Sequence, residues 1–208
     1  MMEWVVNSPE KANAFILARA GYDVWMGNNR GSKYGSYHKT LTTKDKQFWD
    51  FYQEDMGTKD LPAFIDFVTN KTGLESISYV GHSEGTTQFF LGASLLPDYF
   101  KEKINLSILL APVAKTTHIP IHSIQDAAPH VYEIQKALDV IGMYNLIPPQ
   151  PVGSHALDSF CSIPFVKEIC RDIEGIILDP EIWDMDRLPE FFSFMPSGAG
   201  YRTFVYYA

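Results

Sequence analysis

The five residues Gly81-His82-Ser83-Glu84-Gly85 contain the clearest candidate for chemistry in this sequence. They match the pattern Gly-x-Ser-x-Gly, in which a serine on a strained turn between a strand and a helix attacks an acyl carbon. Glycine is needed on either side because side chains there would clash with neighbouring backbone. The N-terminus of the following helix would place N–H groups near developing negative charge. The pattern predicts Ser83 as a nucleophile and the backbone N–H of Glu84 as one oxyanion donor.

The sequence around Ser83 predicts the strand and the helix that such a turn requires. Ser76–Val80 has the apolar character of a strand and leads directly into Gly81. Thr86–Leu96 has a helical pattern, which we expect to end at Pro97. A glycine-rich turn with an incidental serine is the alternative interpretation, and the strand–turn–helix context favours the functional one.

A nucleophilic serine also needs a base and an orienting acid, in the chain order Ser, Asp or Glu, His for this type of turn. The histidines that follow Ser83 all lie in a proline-broken region: His118, His122, His130 and His155. His155 lies in a loop and is interpreted as a surface histidine. His82 should point away from Ser83, because neighbours on a tight turn diverge, and His38 is expected to be structural. No Asp–His pair that would complete a triad is evident.

Strand and helix patterns alternate in the first half of the chain. Helices are predicted at Ala12–Ala20, before a C′ glycine at Gly21, and within Phe48–Thr69, where Asp60 is the expected N-cap and Pro62 lies in the first turn. The predicted strands are Tyr22–Met26, Ser76–Val80 and Ile104–Val113. This alternation predicts an α/β class, with a parallel sheet covered by helices on both faces.

The second half of the chain has a different character. Prolines divide it into short segments, among which Ala128–Ile147 and Phe160–Ile177 have helical patterns. We therefore predict a boundary near residue 115, between an α/β part at 1–115 and a mostly helical part.

Composition excludes several classes of function. The chain has 208 residues, 46% hydrophobic, which is enough for a sizeable core. Its net charge of -8 opposes nucleic-acid binding. The longest apolar stretches are too short to be a transmembrane segment, and Met1 is not followed by a signal-peptide pattern. The two cysteines lack metal-ligand spacing, so no metal or other cofactor is expected.

Six stretches of the sequence, taken in order, carry a family resemblance. They are Phe15–Gly31, His38–Leu41, Phe48–Phe51, Asp60–Ala63, Val80–Thr87 and Leu110–Ala114. Together they closely resemble the acid lipase family of α/β-hydrolases, which includes gastric and lysosomal acid lipases. The resemblance extends over nearly the whole chain, strongly up to Ala114 and more loosely beyond it.

The resemblance implies a serine hydrolase that cleaves fatty acyl esters of neutral lipids at a lipid–water interface, in a secreted or lysosomal protein. Ser83 corresponds to the nucleophile and Glu84 to the oxyanion donor, where family members usually carry glutamine. That change would add a negative charge beside the oxyanion. The expected α/β-hydrolase sheet is partial, because the chain resembles only part of the family's core.

The resemblance also implies roles for the second half. Residues 116–200 resemble the family's helical cap and lid, and 201–208 its return to the core. Cys161 and Cys170 match the spacing of a disulfide in the cap, with two buried thiols as the alternative. Asn70-Lys71-Thr72 is a glycosylation sequon expected just past a helix. The sequon at Asn105 opens an apolar strand, so we expect it to be inaccessible.

Departures from the family pattern predict that this chain is an internal fragment. The family's His-Gly pair upstream of Trp4, which supplies a second oxyanion donor, is missing, and the triad Asp and His are not present in this chain. Phe194–Gly200 is similar to the family's return segment but lacks its histidine. We expect the chain alone to be nearly inactive towards esters. The alternatives are a catalytically dead, truncated paralogue that binds lipid or fatty acid, and a hydrolase of non-lipid esters or peptides.

Overall fold

Parallel strands β1 and β2 form the small sheet that carries the Gly-x-Ser-x-Gly turn. The computed structural model describes residues 2–116, 122–147 and 197–207. Strand β1 spans Ile77–His82 and β2 spans Ile104–Leu110, and the ladder pairs His82 with Leu110 at the carboxyl ends. The parallel pairing confirms the predicted α/β class, with a partial sheet of two strands among the described residues.

Helices make up most of the remaining described structure. They are α1 (Asn13–Arg19), α2 (Gln53–Asp55), α3 (Leu61–Thr72), α4 (Glu84–Leu95), α5 (Pro97–Lys103), α6 (His122–Ala127), α7 (Val131–Val140) and α8 (Tyr201–Tyr207). A π-helical turn, Met56–Asp60, joins α2 to α3. The helices predicted at Ala12–Ala20 and within Phe48–Thr69 are confirmed. Gly21 follows α1 with a φ of 92°, as a C′ glycine should.

The connection from β1 to β2 differs in two details from the prediction. Pro97 begins α5 in addition to following α4, because proline is favourable in the first turn of a helix. The predicted strand Ile104–Val113 ends early, at Leu110, since Ala111 has a φ of 45° that extended backbone does not adopt.

The strand predicted at Tyr22–Met26 is wrong. This segment has no assigned secondary structure, and Tyr22 is 67% exposed. A strand requires a hydrogen-bonded neighbour, and among the described residues the ladder partner of β1 is β2. Trp25 instead packs edge-on against Phe67 of α3.

Asp60 is the N-cap residue of α3 and Pro62 lies in the first turn, as predicted, but the Asp60 side chain makes no capping hydrogen bond. The backbone of Asp60 is already helical because the π-helical turn runs directly into α3. Its carboxylate is instead bound by Arg30, whose Nε donates to Oδ1 and Oδ2 at 2.9 Å. The ion pair joins the turn at Asn29–Gly31 to the start of α3.

The described residues after 116 include a pair of short strands in addition to helices. Within Ala128–Ile147, α7 is confirmed, but β3 (Asn145–Ile147) pairs antiparallel with β4 (Ala199–Gly200). The strand arises because residues on either side of a long chain segment meet here and complete each other's backbone hydrogen bonds. Phe160–Ile177 lies outside the described residues.

Helix α8 contacts both α7 and, in the first half of the chain, α2. Tyr201 is 1% exposed, and its hydroxyl donates to Asp139 of α7 at 2.8 Å. The side-chain amide of Gln53 donates to the Thr203 carbonyl at 2.8 Å. Buried aromatic residues, chiefly Trp49 and Phe51, form a core cluster around α2.

Two sequons lie on exposed positions of regular structure. Asn70 is exposed but lies within the last turn of α3, not past it as predicted, since the helix continues to Thr72. Asn105 is also exposed, contrary to the expectation, and its side-chain oxygen accepts a hydrogen bond from Ser78 across the sheet. No helix in the described ranges is long and apolar enough to cross a membrane.

Candidate active site

Ser83 lies at the turn between β1 and α4, where the sequence predicts it. Its φ of 51° is in the left-handed region, which costs a residue with a side chain about 1–3 kcal/mol. The backbone N–H of Ser83 donates to the Leu110 carbonyl at 3.0 Å, so the end of β2 supports the turn. The residue is exposed to solvent. The turn therefore has the strained, exposed geometry that the Gly-x-Ser-x-Gly pattern predicts.

Gly81 and Gly85 flank Ser83 for different reasons. A Cβ on Gly81 would lie 3.0 Å from the backbone carbonyl of Gly85 and 2.8 Å from the Tyr79 ring, so a side chain does not fit. A Cβ on Gly85 would meet the Tyr79 hydroxyl at 3.4 Å, an ordinary contact. The predicted backbone clash is confirmed at Gly81 and wrong at Gly85. At Gly85 the close neighbour is a side chain, because the Tyr79 hydroxyl donates to the Gly85 carbonyl at 2.8 Å.

The first turn of α4 supplies the groups that could stabilise negative charge at Ser83. Helix α4 begins at Glu84, so the N–H of Glu84 is among the first four, which have no intrahelical acceptor. The side chain of Ser83, the N-cap residue, makes no capping hydrogen bond to this end of the helix. The Glu84 N–H therefore lies at the start of the helix next to Ser83, where the positive end of the helix dipole also lies.

Thr86 ties the turn to the chain that follows β2. Its side chain is fully buried. The hydroxyl donates to the Ser83 carbonyl at 2.6 Å and accepts from the Val113 N–H at 2.8 Å. Thr87 adds a hydrogen bond to the Val113 carbonyl at 2.8 Å. The carbonyl of Ser83 is therefore bound by the side chain of Thr86, a residue to which the sequence analysis assigned no such role.

We expect Thr86→Val to lower the free energy of unfolding by about 1–3 kcal/mol, because it leaves the Val113 N–H and the Ser83 carbonyl without this partner. Urea unfolding measures the change. Thr58→Val is the control, since the Thr58 hydroxyl bonds only a carbonyl one helical turn away, and it should change stability by less than 1 kcal/mol. Equal losses in both variants would contradict the bridging role.

The side chain of Glu84, in the first turn of α4, is partly buried. Gln53 Nε2 lies 3.4 Å from Glu84 Oε1, and the side chain of Asn29 also hydrogen-bonds the carboxyl group. Burial raises the pKa of Glu84, and the two hydrogen bonds oppose this only in part. The nearby charge of Glu3 raises that pKa further.

His82 is directed to the exposed side of the sheet. Its Nδ1 lies 3.1 Å from Glu3 Oε2, and its ring packs edge-on against Trp4. His38 is structural, as predicted, because its Nδ1 accepts from the backbone N–H groups of Thr40 and Leu41. Neither ring is hydrogen-bonded to Ser83.

The remaining predicted site residues are not brought to Ser83 by the described structure. His130 is exposed after α6. His118, His155, Cys161 and Cys170 lie outside the described residues. Within residues 2–116, 122–147 and 197–207, no group of three or more His, Cys, Asp or Glu side chains could hold a metal ion. The sequence analysis did not identify Asn29, Gln53 and Thr86 as site residues. Their roles depend on hydrogen bonds to residues distant in sequence, namely Glu84 and Val113.

A serine in a left-handed turn between a parallel strand and a helix defines the class of α/β hydrolases. A family model described as the alpha/beta hydrolase fold matches residues 7–127. The chain therefore belongs to the α/β hydrolase fold family, as the sequence predicts.

The relatives are lipases. The chain is 34% identical over 208 residues to Lipase lipl-3 of Caenorhabditis elegans, covering 99% of this chain and 52% of the relative. It is 32% identical over 213 residues to human Lysosomal acid lipase/cholesteryl ester hydrolase, covering 99% and 51%. Human Lipase member M is 46% identical over 115 residues, covering 55% and 27%. The chain spans about half the length of the first two of these relatives, and the resemblance to acid lipases is confirmed.

Proposed function

We propose that Ser83 is the acyl-accepting nucleophile of a carboxylic ester hydrolase that cleaves fatty acyl esters of neutral lipids. The observation that carries this proposal is the conformation of Ser83, which is exposed with a φ of 51° at the N-terminus of α4. A residue is held in such a conformation at a cost, and strain of this kind clusters at functional sites. The lipase relatives supply the class of substrate.

The proposed reaction passes through an acyl-enzyme. Ser83 Oγ bonds to the acyl carbon while its proton passes to a general base, and the carbonyl electrons move onto oxygen. The oxyanion accepts a hydrogen bond from the Glu84 N–H. The C–O bond to the alcohol then breaks, and the alcohol leaves with the proton. Water attacks the acyl-enzyme in the same way, which releases the fatty acid and restores Ser83.

We assign the second half of the chain by the same resemblance. Residues 116–200 cover the acyl pocket as a helical cap, and 201–208 lead back to the core. Cys161 and Cys170 form a disulfide in that cap, and Asn70 carries a glycan. A lysosomal or secreted location at lipid–water interfaces accords with these assignments and with the name of the lysosomal relative.

Covalent labelling tests the proposal at the level of the nucleophile. Protein purified from cells that make it is treated with a long-chain alkyl fluorophosphonate, which is attacked by activated serines. One phosphonyl group per chain should appear on the tryptic peptide 72–101, and fragmentation should place it on Ser83. That peptide also contains Ser76, Ser78 and Ser94, so a label on one of them would overturn the assignment.

The main alternative is a protein that binds lipid without catalysis. The exposure of Leu106, Ile108 and Leu110 along β2 favours this alternative, because these residues present an apolar surface. Its signature would be stoichiometric binding of a fatty acid that survives Ser83→Ala, together with no phosphonyl label and no ester hydrolysis.

A further inference from the structure

A group of polar side chains lies beneath the turn that presents Ser83. We call it the Glu84 cluster and define it by Asn29, Gln53, Glu84 and Tyr207. The amides of Asn29 and Gln53 approach the Glu84 carboxyl group from the turn after residue 28 and from α2. Tyr207 of α8 lies close enough for the charge of Glu84 to raise the pKa of its hydroxyl. Three segments distant in sequence therefore converge on one carboxyl group.

The cluster contains an acceptor that lacks a donor. Gln53 is fully buried, and its Nε2 donates to the Thr203 carbonyl at 2.8 Å. Its Oε1 is also buried and has no hydrogen-bond partner. An unsatisfied buried acceptor is costly. A carboxylate can only accept hydrogen bonds, whereas a carboxylic acid also donates one. Only the protonated form of Glu84 can therefore donate a hydrogen bond within this cluster, which contains an acceptor without a donor.

The charges around Glu84 also disfavour its ionised form. Titratable groups on neighbouring elements are Glu3, Arg30, Glu54, Asp55, Lys59, Asp60, Tyr79, His82, Tyr201, Arg202, Tyr206 and Tyr207. The Arg and Lys side chains among them are engaged elsewhere: Arg30 with Asp60, Lys59 with Asp55, and Arg202 with Asp50. Burial raises the pKa of Tyr207 to about 12, so its hydroxyl stays neutral. The carboxylate of Glu3 raises the pKa of Glu84, because it has the same sign as ionised Glu84.

We propose that the Glu84 side chain is a proton-holding positioning residue, whose neutral form supports the Ser83 turn and whose ionisation places a negative charge beside the acyl oxyanion. The second half of this inference rests on the proposed function, and the first does not. Glutamine at this position would mimic the neutral acid in shape and hydrogen bonding. With Glu84, the hydrogen bonding of the cluster therefore depends on pH. With glutamine at this position, it would be the same at every pH.

The dependence of stability on pH has a definite sign. Burial raises the pKa of Glu84 in the folded protein above its value in the unfolded chain. Over the interval between the two values the folded state binds more protons, so stability falls as pH rises. The contribution is fully present below the unfolded value of about 4.3 and is lost as pH passes the folded one.

Thermal unfolding of the protein from pH 4 to 8 tests the first half. Relative to Glu84→Gln, the midpoint of the wild type should fall by about 2–4 °C or more as pH rises. Glu75→Gln is the matched control, since Glu75 is exposed in the turn before β1, and it should follow the wild type. Difference infrared spectra should show a carboxyl band that is lost at a pH above the ordinary range of glutamate and that is absent from Glu84→Gln. Parallel midpoints and no such band would overturn the inference.

The pH profile of ester hydrolysis tests the second half. The rate of the wild type should fall about tenfold or more relative to Glu84→Gln between acid and mildly alkaline pH, because the charge opposes the oxyanion. If all variants fail to hydrolyse ester while the midpoints diverge, the proposed function fails and the proton-holding role stands. Identical profiles for active wild type and Glu84→Gln would contradict the effect on the oxyanion.

Discussion

Ser83→Ala should lower ester hydrolysis by about three orders of magnitude or more, with the turnover rate affected far more than the Michaelis constant. The hydroxyl is the atom that forms the acyl-enzyme, so its removal leaves only binding and oxyanion stabilisation. The fold should persist, because the supports of the turn are the Ser83 backbone N–H and carbonyl, which alanine retains. Hydrolysis of a long-chain acyl ester, by protein purified from cells that make it, is the measurement.

Ser94→Ala provides the matched control for this experiment. Ser94 is exposed on the same helix, α4, and should be replaceable without loss of rate. If Ser83→Ala retained more than a tenth of the rate, Ser83 would not be the nucleophile. A large loss in Ser94→Ala would show that the assay reports on the integrity of α4, not on the hydroxyl.

Gly92→Ala should destabilise the protein by about 2–3 kcal/mol, although alanine is the better helix former by about 1 kcal/mol. A Cβ on Gly92 would come 2.6 Å from the Gly57 carbonyl of the π-helical turn and would also strike the Phe100 ring. Gly57 in turn would bring a Cβ within 2.6 Å of the Gln88 carbonyl. The two glycines let α4 and the π-helical turn pack with their backbones in direct contact. A side chain at either glycine would therefore force the backbones apart. Urea unfolding measures the loss.

Gly85→Ala is the control for the packing argument. It lies in the first turn of the same helix, and its Cβ would make an ordinary contact at 3.4 Å. It should change the free energy of unfolding by less than about 1 kcal/mol. A Gly92→Ala protein as stable as Gly85→Ala would mean that the tight contact relaxes at little cost.

The strand, turn and helix around Ser83 could be predicted because they depend on local patterns. A short apolar segment, two glycines and a helical periodicity occupy consecutive residues, and each retains its meaning in any compact fold. Helix α1 and its C′ glycine at Gly21 were predictable for the same reason. The resemblance to lipases added the proposed chemistry of Ser83, which periodicity alone does not contain.

The errors occurred where partners distant in sequence decide the structure. Tyr22–Met26 has strand-like composition but lacks a hydrogen-bonded neighbour among the described residues. Asp60 occupies the predicted N-cap position, yet its side chain makes no capping hydrogen bond, since Arg30 engages the carboxylate. The end of Ala128–Ile147 becomes β3 because β4 pairs with it. Propensity is a weak prior, and such tertiary contacts override it.

The sequence by itself determined the α/β class, the family and the identity of the strained serine, because short-range sterics and a contiguous motif specify them. Only the tertiary structure decided the surroundings of that serine. The Thr86 hydroxyl accepts a hydrogen bond from the Val113 N–H, and the side chains of Gln53 and Asn29 hydrogen-bond the Glu84 carboxyl group. Burial and hydrogen bonds from separate segments set the protonation of a carboxyl group, and those segments become neighbours only when the chain folds.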